Sequence, residues 1–425
     1  MRDVDPTVRD EPRINAERLW RSVMDLAAFT ESDRPYTRRV FSALYAEARQ
    51  WLIEQFEQAG LKAQMDKAAN IVGRMEGAVV PDQVIMNGSH IDTVNHGGRF
   101  DGIAGVLTGL EIARTLRDHG IAPRHSFEFV DFLGEEPNNH GLSCVGSRGM
   151  TGTLTAADLA RRNPEGECLH EAITRAGGSP DDLDGSLRKD GEIKAYVELH
   201  IEQGKLLERG CHDIGVVTDI VGIKRFRITV TGRADHAGNT PMNDRRDALV
   251  GGARLVDWIN RTARAFDAEG DAYFVGTVGR FDVTPNAANI VPGSVDFTLE
   301  IRTSNAPLLD GFMAAFGRHW LEITGDAAVA LDLEQLSDTP GSRCASMIQD
   351  AIRDASDSLG FSSIPIASGA GHDAMYMHGI APMGMVFIPC QDGRSHCPEE
   401  WTEPTQLAAG ADVVLHTMLR IDRET

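Results

Sequence analysis

Val84-Ile85-Met86-Asn87-Gly88-Ser89-His90-Ile91-Asp92-Thr93 is the stretch on which the reading of this chain turns. An apolar run of strand length gives way at Gly88, and a histidine and an aspartate follow two residues apart. The arrangement recurs elsewhere. Phe127-Glu128-Phe129-Val130-Asp131-Phe132-Leu133 leads into Glu135-Glu136, and Ala195-Tyr196-Val197-Glu198-Leu199 leads into His200. Asp101-Gly102 opens a segment in which Ile103, Val106, Leu107, Leu110, Ala113 and Leu116 recur at helical spacing, with Gly120 as its stop. Strands alternating with helices predict an α/β fold, and the near-continuous apolar character of Ser126–Leu133 predicts a parallel sheet covered on both faces. In such sheets the crevice outside the carboxyl ends of the strands is where ligands bind.

His90, Asp101, Glu135, Glu136, His200 and His396 all stand where a strand is expected to end. Imidazole and carboxylate are ligands that Zn²⁺, Mn²⁺ and Co²⁺ accept, so the chain reads as a metallohydrolase with six donors for two ions. Ions about 3.5–4 Å apart can share one carboxylate. Asp101 is the expected bridge, because Gly102 lets the backbone come close. Asp92 is expected to orient the His90 ring through its other nitrogen. Glu135 and Glu136 point different ways at a strand end, so one can bind metal while the other stays free as a general base. Cys397, beside His396, is read as a packing residue rather than a soft ligand.

The chain has 425 residues, long enough for two domains, with 42% hydrophobic and 25% charged residues as in ordinary globular proteins. Between the α/β segments lies a stretch of different character. Ile223–Thr231 alternates Phe226, Ile228 and Val230 with Arg225, Arg227 and Thr229, as a half-exposed strand does. A helix with Leu249, Ala253, Val256 and Ile259, strands at Tyr273–Phe281 and Ser294–Thr303, a helix around Leu308–Ile323 and a strand at Ala327–Leu333 complete a βαββαβ order. That order predicts an inserted split-βαβ (ferredoxin-like) α+β domain over residues 219–334. Residues 1–218 and 335–425 then form one discontinuous catalytic domain. From Leu19 to Gln58 the pattern reads as helix.

The net charge of −21 argues against nucleic acid or an anionic membrane as partner. No apolar stretch has the length of a spanning helix, and Met1-Arg2-Asp3-Val4-Asp5 shows no signal peptide. Cys144, Cys168, Cys211, Cys344, Cys390 and Cys397 are scattered, with no Cys-x-x-Cys pair, which suits free thiols in a reducing cytoplasm. Rival chemistries lack their residues. Gly141-Leu142-Ser143-Cys144-Val145 breaks the nucleophile-elbow pattern at its last position. His170-Glu171 has Thr174 where a thermolysin-type helix needs histidine, and Gly102, Gly105 and Gly109 form no dinucleotide or phosphate-loop fingerprint.

Several motifs together resemble one family. Gly88-Ser89-His90-Ile91-Asp92-Thr93-Val94, Gly98-Arg99-Phe100-Asp101-Gly102, Glu198-Leu199-His200-Ile201-Glu202-Gln203-Gly204, Gly232-Arg233-Ala234-Asp235-His236-Ala237-Gly238 and Pro285-Asn286-Ala287-Ala288-Asn289-Ile290-Val291-Pro292-Gly293 are similar to the N-carbamoyl-L-amino acid amidohydrolases. That group, with allantoate amidohydrolase and β-ureidopropionase, sits within the clan of aminoacylases and dinuclear zinc exopeptidases. The resemblance implies a zinc-exopeptidase-like catalytic domain holding two divalent ions (Zn, or Mn, Co or Ni) and a dimerising lid. It implies His90, Asp101, Glu136, His200 and His396 as ligands, with Asp101 bridging and Glu135 as the base. Gln203, His236, Asn286 and Arg302 match substrate-contacting positions, and Gly369-Ala370-Gly371-His372-Asp373 resembles a substrate loop that brings in Gly371 and His372. His236 matches a lid histidine that crosses a homodimer interface to polarise the scissile carbonyl. The implied activity is hydrolysis of the ureido amide of a small carboxylate such as an N-carbamoyl amino acid or allantoate. The alternative is an N-acyl-amino-acid deacylase or dipeptidase of the same clan, which the Gln203 segment disfavours. Pro137-Asn138-Asn139-His140 and Cys397 depart from the family pattern beside the site, where they bear on the substrate more than on the chemistry.

Overall fold

The computed structural model describes residues 11–189, 191–268 and 272–424. The chain divides into two compact units: Met1–Thr218 with Cys344–Ile366 and His372–Thr425, and Asp219–Arg343 with Ala367–Gly371. Fifteen strands are named in chain order. They are β1 Lys62–Met65, β2 Ile71–Met75, β3 Val80–Ser89, β4 His125–Asp131, β5 Ile193–Ile201, β6 Ile214–Ile220, β7 Gly222–Thr231, β8 Asp235–His236, β9 Phe274–Thr284, β10 Ile290–Val291, β11 Ser294–Thr303, β12 Ala330–Thr339, β13 Ser342–Arg343, β14 Ser363–Ser368 and β15 Met383–Ile388. The long helices are α1 Ala16–Ala27, α2 Ala43–Gln58, α3 Ile103–Asp118, α4 Ala248–Ala268, α5 Ala306–Ala327, α6 Ser346–Leu359 and α7 Pro404–Arg423.

The large sheet has the order β1-β2-β4-β3-β5-β15-β6-β13, with β14 also on β6. Its centre is parallel: β3 pairs in parallel with β4 and β5, and β5 with β15. Every residue of β4 is buried, as a strand covered on both faces requires. The parallel register sends the carboxyl ends of β4, β3, β5 and β15 to one rim. Helix α3 lies directly on β3 and β5. A Cβ at Gly105 would collide with the Leu199 carbonyl and Ser89, and one at Gly109 with Asn87. The glycines of α3 are therefore there for close helix–sheet approach.

The segment 19–58 is two helices, not one. Asn15 and Ser42 each accept a backbone N–H, from Arg18 and Tyr45, at the two starts. The polar stretch Thr30-Glu31-Ser32-Asp33-Arg34-Pro35 interrupts them, since proline disfavours helix in the residue before it. That interruption carries Arg38, a buried guanidinium that donates to the Ile91, Leu26 and Phe29 carbonyls and so ties the segment to the loop after β3.

The second unit contains a four-stranded antiparallel sheet in the order β12-β7-β11-β9, which is the 4-1-3-2 order of a split βαβ sandwich. Its core joins Phe226, Ile228 and Val230 of β7 to Val295, Phe297 and Leu299 of β11 and to Leu255 and Phe312 of α4 and α5. Residues 335–343, assigned above to the first domain, belong to this unit because β12 stays paired with β7 as far as Thr339. Ala327 ends α5 rather than starting a strand. Among the described residues no helix is long and apolar enough to cross a membrane.

Candidate metal centre and active site

The loops at the carboxyl ends of β3, β4, β5 and β15 bring six predicted residues together. His90 follows β3, His200 closes β5, Glu135 and Glu136 follow β4, and His396 lies beyond β15. Asp101 stands before α3, held there by Gly102 at φ +68°, where a Cβ would collide with the His90 ring. Asp101 Oδ1 is 3.0 Å from His200 Nε2 and 3.7 Å from His90 Nε2. Its Oδ2 is 3.0 Å from His396 Nε2, which is also 3.4 Å from Glu136 Oε1. Two donor groups result, His90–Asp101–His200 and Asp101–Glu136–His396, sharing one carboxylate.

The rings are oriented by backbone carbonyls. His90 Nδ1 donates to the Asp92 carbonyl at 3.0 Å and His200 Nδ1 to the Ile201 carbonyl at 2.8 Å, which turns both Nε2 atoms inward. The Asp92 carboxylate faces the His90 ring and has a second task besides. It accepts the backbone N–H groups of Glu135 and Glu136 at 3.1 and 3.2 Å, and its Oδ1 stands 3.5 Å from His90 Nδ1. One buried acid thus fixes both the imidazole and the adjacent glutamates. His396 has φ +55°, and so does Gln203, an uncommon backbone region for either residue and one often found at functional sites.

Charge in the cluster is unbalanced. Burial and the His90 and Glu136 charges acting in opposite senses leave the Glu135 carboxyl well above the usual range. Burial and the Asp101 carboxylate push Glu136 up to about 7. Burial opposes charge on Asp101 and on His90. For Asp101 the imidazoles of His200 and His396 outweigh it and hold the carboxyl low. For His90 the Asp92, Glu135 and Asp101 carboxylates outweigh it and hold the ring high. The hydrogen bond to Asp101 raises His396 to about 9. Acids that resist ionisation beside rings that hold protons are what a metal-free divalent site presents: dications would replace the protons and relieve the carboxylate repulsion. The donor set, nitrogen and carboxylate oxygen without thiolate, suits Zn²⁺, Mn²⁺, Co²⁺ or Ni²⁺.

Gln203 Nε2 donates to Asp101 Oδ2 at 2.8 Å, so its amide rests on the shared carboxylate. His372 is buried with its ring 4.5 Å from that of His200, and burial holds it well below the usual imidazole range. Gly371 falls in the second unit and His372 in the first. In the second unit, His236 is exposed on β8, which pairs with β10. Its Nδ1 accepts from the backbone N–H of Gly238 and Asn239 at 3.0 and 3.1 Å, so the neutral ring carries its proton on Nε2. Asn286 is exposed, with φ +55°. Arg302 Nε donates to Glu300 at 2.8 Å and Nη1 to the Gly369 carbonyl at 2.7 Å, and the residue lines a cavity of about 530 Å³ together with Tyr273, Arg280 and Thr298.

Several supporting groups were not foreseen. Asp131 accepts from the Ile91 N–H and from Arg49, and burial lifts it to about 6. Glu198 accepts from Ser89 and Tyr196 beneath the site. Glu400 and Ser395 adjoin Asp101. A polar residue inside an apolar strand, as at Asp131 and Glu198, was the available signal. Nothing in Glu399-Glu400 says which glutamate turns inward.

The fold and the shared-aspartate geometry together define a hydrolase-like scaffold, and sequence comparison identifies it: the chain belongs to Peptidase family M20/M25/M40, matched over residues 86–420. Within it, the N-carbamoyl-L-amino-acid amidohydrolase of Paenarthrobacter aurescens is 38% identical, over 97% of this chain and 99% of that protein. The one from Geobacillus stearothermophilus is 37% identical, over 96% and 99%. A crystal structure of a hydantoinase/carbamoylase family amidase from Burkholderia multivorans superposes with a TM-score of 0.89 at 36% identity, covering 97% of this chain and 99% of that one. The resemblance drawn from the motifs thus extends along almost the whole chain.

Proposed function

We propose that this chain is an amidohydrolase that cleaves the ureido amide of a small N-carbamoyl amino acid or related carboxylate, R–NH–CO–NH₂ + H₂O giving R–NH₂, CO₂ and NH₃. The observation that carries the reading is Asp101, whose two oxygens serve two separate donor groups. His90, Asp101 and His200 would hold one divalent ion, and Asp101, Glu136 and His396 the other. Such ions, when bound, lower the pKa of water and polarise an amide carbonyl.

The chain's own residues supply the rest. Glu135 is the base: among the described residues its carboxylate receives one hydrogen bond, from the Cys144 thiol at 3.5 Å. A buried carboxylate with so weak a donor keeps its affinity for protons, so Glu135 can take one from the attacking water and deliver it to the leaving nitrogen. His236, with its proton on Nε2, is a donor fitted to the carbonyl oxygen. Arg302, which lines the cavity, is assigned to the substrate carboxylate as a charge-assisted donor. Gln203 steadies Asp101, while Asn286, Gly371 and His372 are assigned to substrate binding by their family positions.

The working unit in this reading is a homodimer. Among the described residues β12 pairs only with β7, and Leu333 and Leu336 are exposed on it. An open strand edge with apolar side chains is a surface that a second copy can cover.

The test is ammonia release from a panel of N-carbamoyl-L-amino acids and allantoate against N-acetyl amino acids and dipeptides, with bound metal measured in the same preparation. Turnover of the ureido compounds that chelation abolishes and Zn²⁺, Mn²⁺ or Co²⁺ restores is expected. Preference for acetyl or dipeptide substrates would assign the alternative activity instead.

A further inference from the structure

Glu400 is a carboxylate with no exposure at all, four residues after His396. Its Oε1 accepts the backbone N–H groups of Phe100 at 2.8 Å and Asp101 at 3.1 Å. Its Oε2 is 2.8 Å from Ser395 Oγ, which is itself 2.8 Å from Asp101 Oδ2. The Gln203 amide donates to the same Oδ2 at 2.8 Å and reaches Ser395 Oγ at 3.2 Å. Asp101 is therefore gripped at its backbone nitrogen by Glu400 and at one carboxylate oxygen by Ser395 and Gln203. Gly98 makes room for this, since a Cβ there would collide with the Glu400 carboxylate. A second tie joins the same two loops one residue away on each side: the Arg99 guanidinium lies over the Trp401 ring at 4.6 Å and over Tyr36 at 4.8 Å.

A bridging carboxylate has to meet two ions at once, so its tolerance for rotation or displacement is smaller than that of a ligand to one ion. A loop held only by its chain ends would not fix it. Burying the Glu400 carboxyl costs desolvation, and among the described residues its hydrogen bonds go to groups on the Asp101 and His396 loops. We propose that Glu400, with Ser395, is a positioning residue that sets Asp101 as the shared ligand and couples the Asp101 loop to the His396 loop. Glu400 touches neither ion nor substrate in this assignment, which rests on the metal reading given above.

The test is calorimetric titration of the metal-stripped protein with Zn²⁺, together with the absorption spectrum of the Co²⁺-loaded form and the melting temperature of the metal-free chain. E400A should lose roughly 10–100-fold in metal affinity, the scale on which residues behind metal ligands act. E400Q should stay within about 3-fold of wild type, because its amide oxygen still accepts both backbone N–H groups while its NH₂ meets Ser395 Oγ. S395A, which leaves the backbone grip intact and is the milder change, should fall between them and alter the Co²⁺ spectrum. Wild-type affinity and spectrum in E400A would overturn the assignment while leaving the metal reading standing. Equal losses in E400A and E400Q would overturn it too, as would a loss confined to metal-free melting temperature. A wild-type protein that takes up no ion would overturn both readings.

Discussion

Glu135 and Glu136 are adjacent in sequence, share one tether through Asp92, and yet face different partners, Glu135 toward His90 and Cys144 and Glu136 toward His396. Their replacements should therefore separate. Glu135→Gln is expected to keep metal content near normal and lower turnover by about 10²-fold or more, the scale of general acid–base catalysis. Glu136→Gln should weaken one metal site. Metal analysis beside steady-state kinetics reads both, and swapped behaviours would reverse the two roles. The imidazole of His396 adds a pH dependence. Its hydrogen bond to Asp101 raises it to about 9, so near neutral pH the metal-free protein holds a proton there that an ion must displace. Affinity for the ion at that site should rise with pH until about 9 and then level off. Titrations in buffers of different ionisation enthalpy should show proton release at pH 7, and uptake without release would contradict the ligand role of His396.

Helix α3 shows how an element turns packing into site geometry. Gly105 and Gly109 let it lie against β3 and β5, and Gly102 at its start lets Asp101 approach His90. Gly102→Ala must place a Cβ at φ +68° against an imidazole, a change expected to cost about 1–3 kcal/mol by overpacking. Urea unfolding of the metal-free protein measures the loss, and zinc affinity should fall with it because His90 or Asp101 must yield. A variant as stable as wild type would show that the loop relaxes freely. The elements legible in the sequence were those with one strong physical signal: β3, β4 and β5 from apolar runs, α3 from its period, β7 from its alternation. The break between α1 and α2 carried a signal in Pro35, but the good helix formers on either side outweighed it in the reading of Leu19 to Gln58 as helix. Strands β1 and β2 were missed because each is only four or five residues long. The clustering of His90, His200 and the Glu135-Glu136 pair was legible because a histidine or acid after an apolar run has few structural reasons to be there, whereas Asp101 and His396 lie well past the ends of β3 and β15. Glu400, Ser395 and Arg38 were not legible, because their roles depend on which backbone groups a distant loop leaves without partners.

At the scale of the molecule the question is how many chains make one active site. His236 lies in the second unit, exposed, with Nδ1 committed to two backbone N–H groups and Nε2 left to donate. At the end of β8, this histidine fixes its own tautomer without burying its ring, and in the proposed reading its Nε2 serves a group outside its local surroundings. Among the described residues one edge of β12 is unpaired, and in the proposed reading a two-fold dimer, the commonest kind of oligomer, forms there. If His236 serves the site of the partner subunit, polarising a carbonyl that is reached only on closure, then each site needs residues from two chains. His236→Ala and Glu135→Gln homodimers should both be nearly inactive. Mixing them under conditions that let subunits exchange should restore activity. In a heterodimer one site carries both lesions, and the other combines intact Glu135 with intact His236. At equal mixing half the dimers are mixed, so recovery should approach about a quarter of wild-type turnover per chain. Exchange can be followed independently by mass-tagging one variant. Tagged heterodimers that form yet recover no activity would place His236 in its own subunit's chemistry or outside the reaction.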